Sequence, residues 1–216
     1  MDLTRELKRQ LEALGLKVAP TVIGQLLILQ AELLHWNRTY NLTAITDPLE
    51  ALEKHLVDSL TLLPYLPQEA TLLDIGSGAG FPALPLKMAR PDLKIVSVDA
   101  VAKKIRFQNH MVRKCALSGF TAWHGRAEDL PAESLAQGGF DRIVARAFAS
   151  LPKLLELARP CLAPGGEVIA MKGSEGEREL AAASEWLPAN GFRCRERVEL
   201  RLTASNSIRQ LLFFGL

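Results

Sequence analysis

The sequence predicts an α/β fold: a mostly parallel, Rossmann-like sheet with helices on both faces, preceded by an N-terminal helical cap. Three observations predict it. Residues 72–82, Leu-Leu-Asp-Ile-Gly-Ser-Gly-Ala-Gly-Phe-Pro, pass from a buried strand through a glycine turn into a helix start. From there to about Ala189, apolar runs of strand length alternate with segments of helical period, the pattern of strands joined by crossover helices. The residues before Pro67 show helical periodicity and no strand pattern.

The glycine stretch points to a ligand class, the other reading being a structural glycine turn with Asp99 on the surface. Its spacing is Gly76-x-Gly78-x-Gly80, not the Gly-x-Gly-x-x-Gly with which a helix N-terminus receives a pyrophosphate. A ligand with an adenosine but no phosphate, such as S-adenosylmethionine, needs glycines for close contact rather than an anion hole. On this reading Gly76, Gly78 and Gly80 approach the cofactor, and Asp74 at the strand end takes its ammonium group. Asp99 closes the next strand, 19 residues after Gly80 (99 − 80), about where a Rossmann sheet places a ribose-binding carboxylate.

In chain order, Leu3, Leu7, Leu11 and Leu14 recur at helical spacing, with Asp2 or Thr4 as cap and Gly15 as stop. After Pro20, apolar residues from Val22 to Leu34 cover more than one face, as in a helix packed on two sides. Residues 36–45, Trp-Asn-Arg-Thr-Tyr-Asn-Leu-Thr-Ala-Ile, break the pattern, and Asp47-Pro48 marks a turn. A third helix from about Pro48 to Leu63 carries Lys54, His55 and Asp58; the last two, three apart, share a face and form a pair in a polar seam. Asn41 reads two ways, as part of that seam or as a substrate-binding loop residue. Pro64 and Pro67 divide a cap, residues 1–67, from a sheet domain, residues 68–216, within one compact unit.

The sheet domain reads as strands Thr71 to Ile75, Lys94 to Asp99, Phe120 to His124, Phe140 to Ala145 and Glu167 to Met171. Helices cover about residues 81–89, 102–117, 151–161 and 175–189. Phe192 to Leu202 and Ser207 to Phe214 follow with no helix between them, an antiparallel edge hairpin. That is the usual finish of a class I S-adenosylmethionine-dependent methyltransferase sheet rather than of a dehydrogenase.

Ligands of open α/β sheets lie at the carboxyl ends of the strands. Ala127 and Glu128 fall where a third-strand loop hydrogen-bonds an adenine amine; Glu128 and Asp129 equally suit capping of the next segment. The fourth strand ends in Ala145-Arg146-Ala147-Phe148, without the Asn/Asp-Pro-Pro-aromatic run of exocyclic-amine methylators or the Pro-Cys of cysteine-dependent pyrimidine methylators. A donor fork and an aromatic ring suit a purine acceptor with an in-plane lone pair, such as guanine N7. No proton leaves, so no general base is required, and catalysis rests on in-line alignment, with roughly 7–11 kcal/mol available from positioning at the upper end. Arg146 is read as shaping the cofactor or base pocket, with a salt bridge as the lesser reading. Lys172, in Met171-Lys172-Gly173, holds a phosphate or the purine oxygen, or is a solvated loop lysine. Lys103, Lys104 and Arg106, beside the cofactor acid, are RNA-binding candidates; Arg193, Arg195, Arg197 and Arg201 alternate on one face of a regular strand, a weaker candidate stripe for a phosphate backbone.

Composition is that of an ordinary soluble chain: 216 residues, 48% hydrophobic and 23% charged, with net charge +2. No leader is evident, and Gln25, Gln30 and Glu32 interrupt the one long apolar stretch, so no membrane partner is expected. Cys115, Cys161 and Cys194 lack any Cys-x-x-Cys spacing, and His35, His55, His110 and His124 show no metal-ligand spacing. A reduced cytoplasm, no metal and a monomer are the expectations. The charge permits a nucleic-acid partner without demanding one.

Trp36-Asn37 with residues 41–45, Lys54-His55 with Asp58-Ser59, and residues 73–82 together resemble the bacterial glucose-inhibited division protein B family. His124-Gly125-Arg126-Ala127-Glu128, Ala145-Arg146-Ala147 and Lys172-Gly173 match it in order. The resemblance runs from about the second helix through Gly173, with one departure, Ala83 where the family commonly has Gly. It implies a 16S ribosomal RNA guanine-N7 methyltransferase using S-adenosylmethionine, acting on rRNA or the small ribosomal subunit, with cofactor contacts at Gly76, Phe81, Ala127, Glu128 and Arg146. The competing readings are a small-molecule methyltransferase and a non-catalytic cofactor-binding ribosome-assembly factor. An NAD-dependent oxidoreductase is disfavoured by the glycine spacing.

Overall fold

In the computed structural model, residues 2–130 and 138–216 are described. Asp2 caps helix α1 (Leu3–Ala13), its carboxylate accepting the Thr4 and Arg5 N–H groups. Helix α2 (Pro20–Tyr40) opens on a proline and ends at Asn41, whose φ of 46° gives the left-handed cap that asparagine tolerates.

The third helical stretch departs from the expected single helix. Asp47 caps α3 (Pro48–Ala51), a π-helical segment (Leu52–Val57) follows, and α4 (Asp58–Leu60) completes it. In the π segment the Asp58 N–H reaches back five residues to the Glu53 carbonyl.

Then strands and helices alternate: β1 (Thr71–Ile75), α5 (Ala83–Ala89), β2 (Lys94–Asp99), α6 (Ala102–Lys114), β3 (Phe120–His124), β4 (Phe140–Arg146), α7 (Leu151–Ala158) and β5 (Leu162–Lys172). The helix expected over about 175–189 is two, α8 (Gly176–Ala182) and α9 (Trp186–Ala189). The interruption follows from Pro188, which lacks an N–H and whose ring opposes the carbonyl four residues earlier. Strands β6 (Arg193–Arg201) and β7 (Ile208–Gly215) close the chain.

Among the described residues the strands form one seven-stranded sheet, ordered β3-β2-β1-β4-β5-β7-β6. Pairings from β3 to β5 are parallel, and β7 inserts antiparallel between β5 and β6. The expected edge hairpin is thus present, with its second strand inside. Strand alternation sends Leu72 to one core and Leu73 and Ile75 to the other. The first core is shared: Leu7, Leu26, Leu33, Leu52 and Leu56 from the N-terminal helices pack with Phe81, Phe107 and Phe213 of the sheet and its helices.

The expected arginine stripe on β6 does not form. A bulge between Cys194 and Glu196 places Arg193 opposite Gly215 but Arg197 opposite Leu212, so the two fall on different faces. Arg195 pairs with Glu167 at 3.7 Å and Arg197 with Glu177 at 3.2 Å.

One buried acid ties the chain's two ends together. Glu53, 2% exposed, accepts the Ala204 N–H at 2.6 Å and the Ser205 N–H at 3.1 Å in the β6–β7 turn. Glu53→Ala is expected to lower unfolding stability by about 2 kcal/mol, the scale of losing charge-assisted bonds that water partly replaces. Urea unfolding should show a lower midpoint at unchanged m-value.

Candidate functional site

Two cavities open at the carboxyl ends of the parallel strands. The first, about 260 Å³, is lined by Gly76, Asp99, Ala127 and Glu128, with the apolar side chains of Ile75 and Val98 and the ring of Phe148. Sequence reasoning named the first four of these from three separate loops, and the fold brings them together. Asp99 braces the glycine turn: Oδ2 accepts the Gly78 N–H and Oδ1 the Val101 N–H, both at 2.8 Å. A carboxylate offers about four lone-pair sites, so the acid retains acceptor capacity at the cavity wall. Glu128 is exposed, 3.7 Å from Lys153 on α7.

Gly76 has φ +70°, and a Cβ there would meet the Phe148 ring at 2.6 Å. At Gly80, φ is +95° and a Cβ would meet Leu84 at 2.6 Å. Backbone conformation and close approach together require glycine at both positions.

Asp74 differs from its expected place. It lines neither cavity: alternation turns it to the Leu72 face, away from the first, and there it is buried beneath the turn against α5. It is fully buried; Oδ2 accepts the Ala83 N–H at 3.2 Å and Oδ1 has no partner. Burial pushes its pKa up to about 7, opposed by that N–H and by Arg146.

The second cavity, about 440 Å³, lies on the cap side. Its cationic side chains are Lys54, Arg146, Lys172 and Arg209, against the carboxylates of Asp58 and Glu179. Arg146 ends β4 and points toward the cap. Its Nη1 donates to the Lys54 carbonyl at 2.6 Å and lies 3.4 Å from Asp58 Oδ2; Nη2 lies 3.4 Å from His55 Nδ1. The guanidinium also sits 5.6 Å from the centre of the Phe81 ring. Asp58, 2% exposed, accepts from Arg209 Nε at 2.7 Å through its other oxygen.

The expected His55–Asp58 pair is therefore not made: Arg146 is the partner of both. Lys172 is not a solvated lysine. It is 8% exposed and donates to Glu179 at 2.7 Å and to the Ala149 carbonyl at 3.2 Å. Asn41 is exposed and lines neither cavity; its structural part is the α2 cap. The loop it opens does reach the site, through Ile45 in the cavity wall and Thr43 Oγ1, 3.0 Å from His55 Nε2. Lys103 and Lys104 are half-buried and Arg106 exposed at the start of α6, with Lys104 Nζ close over Gly78.

Sequence reasoning missed Arg209, Glu53 and the role of Thr43. Arg209 had a signal: it is a lone cation at the head of the apolar run Leu211 to Phe214. Among the described residues, no group of three or more His, Cys, Asp or Glu is placed to hold a metal ion, and no helix is long and apolar enough to cross a membrane.

Known proteins of one family match the chain over most of its length. The model of the GidB family, rRNA small subunit methyltransferase G, matches residues 23–203, well past Gly173. "Ribosomal RNA small subunit methyltransferase G" of Geobacter sp. (strain M21) is 44% identical over 209 residues, covering 97% of this chain and 95% of that protein. The protein of the same name from Myxococcus xanthus is 46% identical over 204 residues, covering 94% and 92%. Among solved structures, a SAM-dependent methyltransferase from Aquifex aeolicus superposes with a TM-score of 0.60 at 20% identity, covering 79% of this chain and 94% of that one. The B. subtilis M1A22 tRNA methyltransferase TrmK gives 0.57 at 17% identity, covering 74% and 66%. These two likenesses bear on the fold alone.

The raised pKa of Asp74 makes a stability prediction. A carboxyl whose folded pKa, about 7, lies above its ordinary value of 3.8 contributes stability below pH 4 that is lost as pH rises toward 7. The ligand-free chain should lose stability from this group over that window, by at most about 4 kcal/mol at about 1.4 kcal/mol per unit. Asp74→Asn should remove that slope in urea unfolding at a series of pH values.

Proposed function

The chain belongs to the rRNA small subunit methyltransferase G family, and from that premise we propose that it methylates N7 of one guanine in 16S ribosomal RNA. Family membership makes it an S-adenosylmethionine-dependent methyltransferase. The observation that carries the finer reading is the pair of cavities that share the Phe148 ring as a wall. The smaller one has apolar strand-end walls, a carboxylate and glycine backbone, and fits an adenosine. The larger has four cations against two carboxylates and fits a nucleotide of a polyanion.

The cofactor fits the residues present: a Cβ at Gly78 would have only Lys104 Nζ within 4 Å, so the turn backbone is open there, and Asp99 keeps acceptor capacity beside Gly76 in the cavity wall. Asp99 would hold the ribose, Ala127 and Glu128 the adenine, and Gly76, Gly78 and Gly80 the close backbone contacts; Asp74, which lines neither cavity, braces the turn from beneath through the Ala83 N–H. Phe81, stacked on His55 and facing Arg146, closes the turn on the cap side. When bound, S-adenosylmethionine supplies an electrophilic methyl group on a sulfonium sulfur. The chain supplies alignment. Arg146, and Lys172 once Glu179 shares it, orient the acceptor purine, while Asn41 sits at the mouth of the loop that flanks it.

Guanine N7 suits this equipment because its lone pair lies in the ring plane and no proton leaves on methylation. Ala145, Arg146, Ala147 and Phe148 offer neither a thiol nor a carboxylate to the acceptor. Lys103, Lys104 and Arg106 would track the RNA backbone beside the cofactor turn. The 16S rRNA or small subunit as substrate sets the reaction in the cytoplasm, with a single chain sufficient.

The test is labelled methyl transfer from S-adenosylmethionine to 16S rRNA and to small subunits from cells lacking the gene, mapped by cleavage at N7-methylguanine. Incorporation at one guanine is expected. Arg146→Ala should lower turnover by about 100-fold, the scale of a misplaced reacting group. Cofactor binding with no methyl on either substrate would favour a small-molecule acceptor or a non-catalytic assembly factor.

A further inference from the structure

We propose that His55 is a positioning residue: its neutral imidazole accepts from Arg146 at Nδ1 and donates to Thr43 from Nε2, tying the setting of the arginine to the loop at residues 41–45. The inference rests on the reading of Arg146 given above. A guanidinium only donates, so His55 Nδ1, 3.4 Å from Arg146 Nη2, must present its lone pair. A neutral imidazole carries one N–H, which then sits on Nε2, 3.0 Å from Thr43 Oγ1. That hydroxyl oxygen also accepts the Ile45 N–H at 3.1 Å, and the Thr43 N–H is held by Asn37 Oδ1 at 2.9 Å. The contact with Arg146 therefore fixes every donor and acceptor out to the loop.

Packing fixes the ring plane. The imidazole stacks on Phe81 with centroids 4.7 Å apart and 23° between planes. Burial, with Arg146 and Lys54 adding to it, pushes the His55 pKa down to about 3, in keeping with the neutral form. His55 thus touches the cofactor turn, the arginine and the acceptor-side loop at once. Arg146 spends Nη1 and Nη2 on the cap, and Nε makes none of these bonds. A guanidinium held on one side by Lys54, Asp58 and His55 offers that remaining edge in one orientation.

The experiment is methyl transfer to rRNA or small subunits by the full chain, comparing His55→Ala, His55→Asn, Thr43→Val and Arg146→Ala, with thermal melting as the fold control. His55→Ala should lower kcat by up to about 100-fold while KM for S-adenosylmethionine stays within about threefold, a difference under 1 kcal/mol. His55→Asn, whose carboxamide oxygen can stand near Nδ1, should recover most of kcat. Thr43→Val should lower kcat less, and add nothing in the His55→Ala background, as groups acting in series do.

Wild-type kcat in His55→Ala with an impaired Arg146→Ala would overturn this inference alone; wild-type transfer by Arg146→Ala would overturn the reading beneath it as well. Equal impairment of His55→Asn and His55→Ala in folded protein would also overturn it. Should His55→Ala fail to fold, nitrogen-15 NMR of the histidines in the unmodified chain decides. The Nε2–H tautomer, unchanged from about pH 5 to about pH 8, is expected, and an Nδ1–H tautomer or an imidazolium in that range would refute the proposal.

Discussion

A single buried carboxylate, Asp58, is the constraint on which the site depends. It is 2% exposed and faces two guanidiniums, Arg146 from β4 and Arg209 from β7. Removing a charge pair's partner from a buried setting costs far more than the pair contributes, so neither arginine is independent of the cap. The N-terminal helices are in this sense part of the sheet's active edge: they supply the anion that makes two converging cations tolerable. The consequence is electrostatic as well as mechanical, because one carboxylate for two arginines leaves the cavity with excess positive charge.

The π-helical segment explains how so short a stretch reaches so many partners. In a regular α-helix, positions five apart are offset around the axis. The π turn brings Glu53 and Asp58 into service on neighbouring parts of the sheet, one clasping the β6–β7 turn and the other the two arginines. The Lys54 carbonyl, in the same segment, accepts from Arg146.

The fold was largely legible because its signals are local. Strand-length apolar runs, the glycine turn and the missing last crossover helix are each confined to a short stretch of chain, and together they imply a mostly parallel sheet that ends in an antiparallel hairpin. What was illegible depends on long-range registration. A bulge at Cys194–Glu196 reverses the facing of the arginines without any glycine or proline to announce it. Asp74 was placed correctly at a strand end, but its facing follows from which side of the sheet the cap covers. His55 and Asp58 do share a surface, yet their true partner lies about ninety positions away in sequence, where helical spacing carries no information. Arg209 shows the same limit, being readable as an odd charge but not as the second guest of Asp58.

Sheet alternation also explains why two cavities, rather than one, sit at the strand ends. Ile75 and Val98 face one side of the sheet and Val144 the other, so the side chains beyond them divide into an apolar pocket and a charged one. The strands themselves separate the two chambers, and past their ends only the glycine turn and the segment after β4 remain. There Ala147 takes a φ of 50°, outside the usual range for a residue with a Cβ, and sets Phe148 against Gly76. That aromatic ring, over a position that excludes any side chain, is the side chain common to the walls of both cavities: it closes the apolar pocket on one side and the charged one on the other.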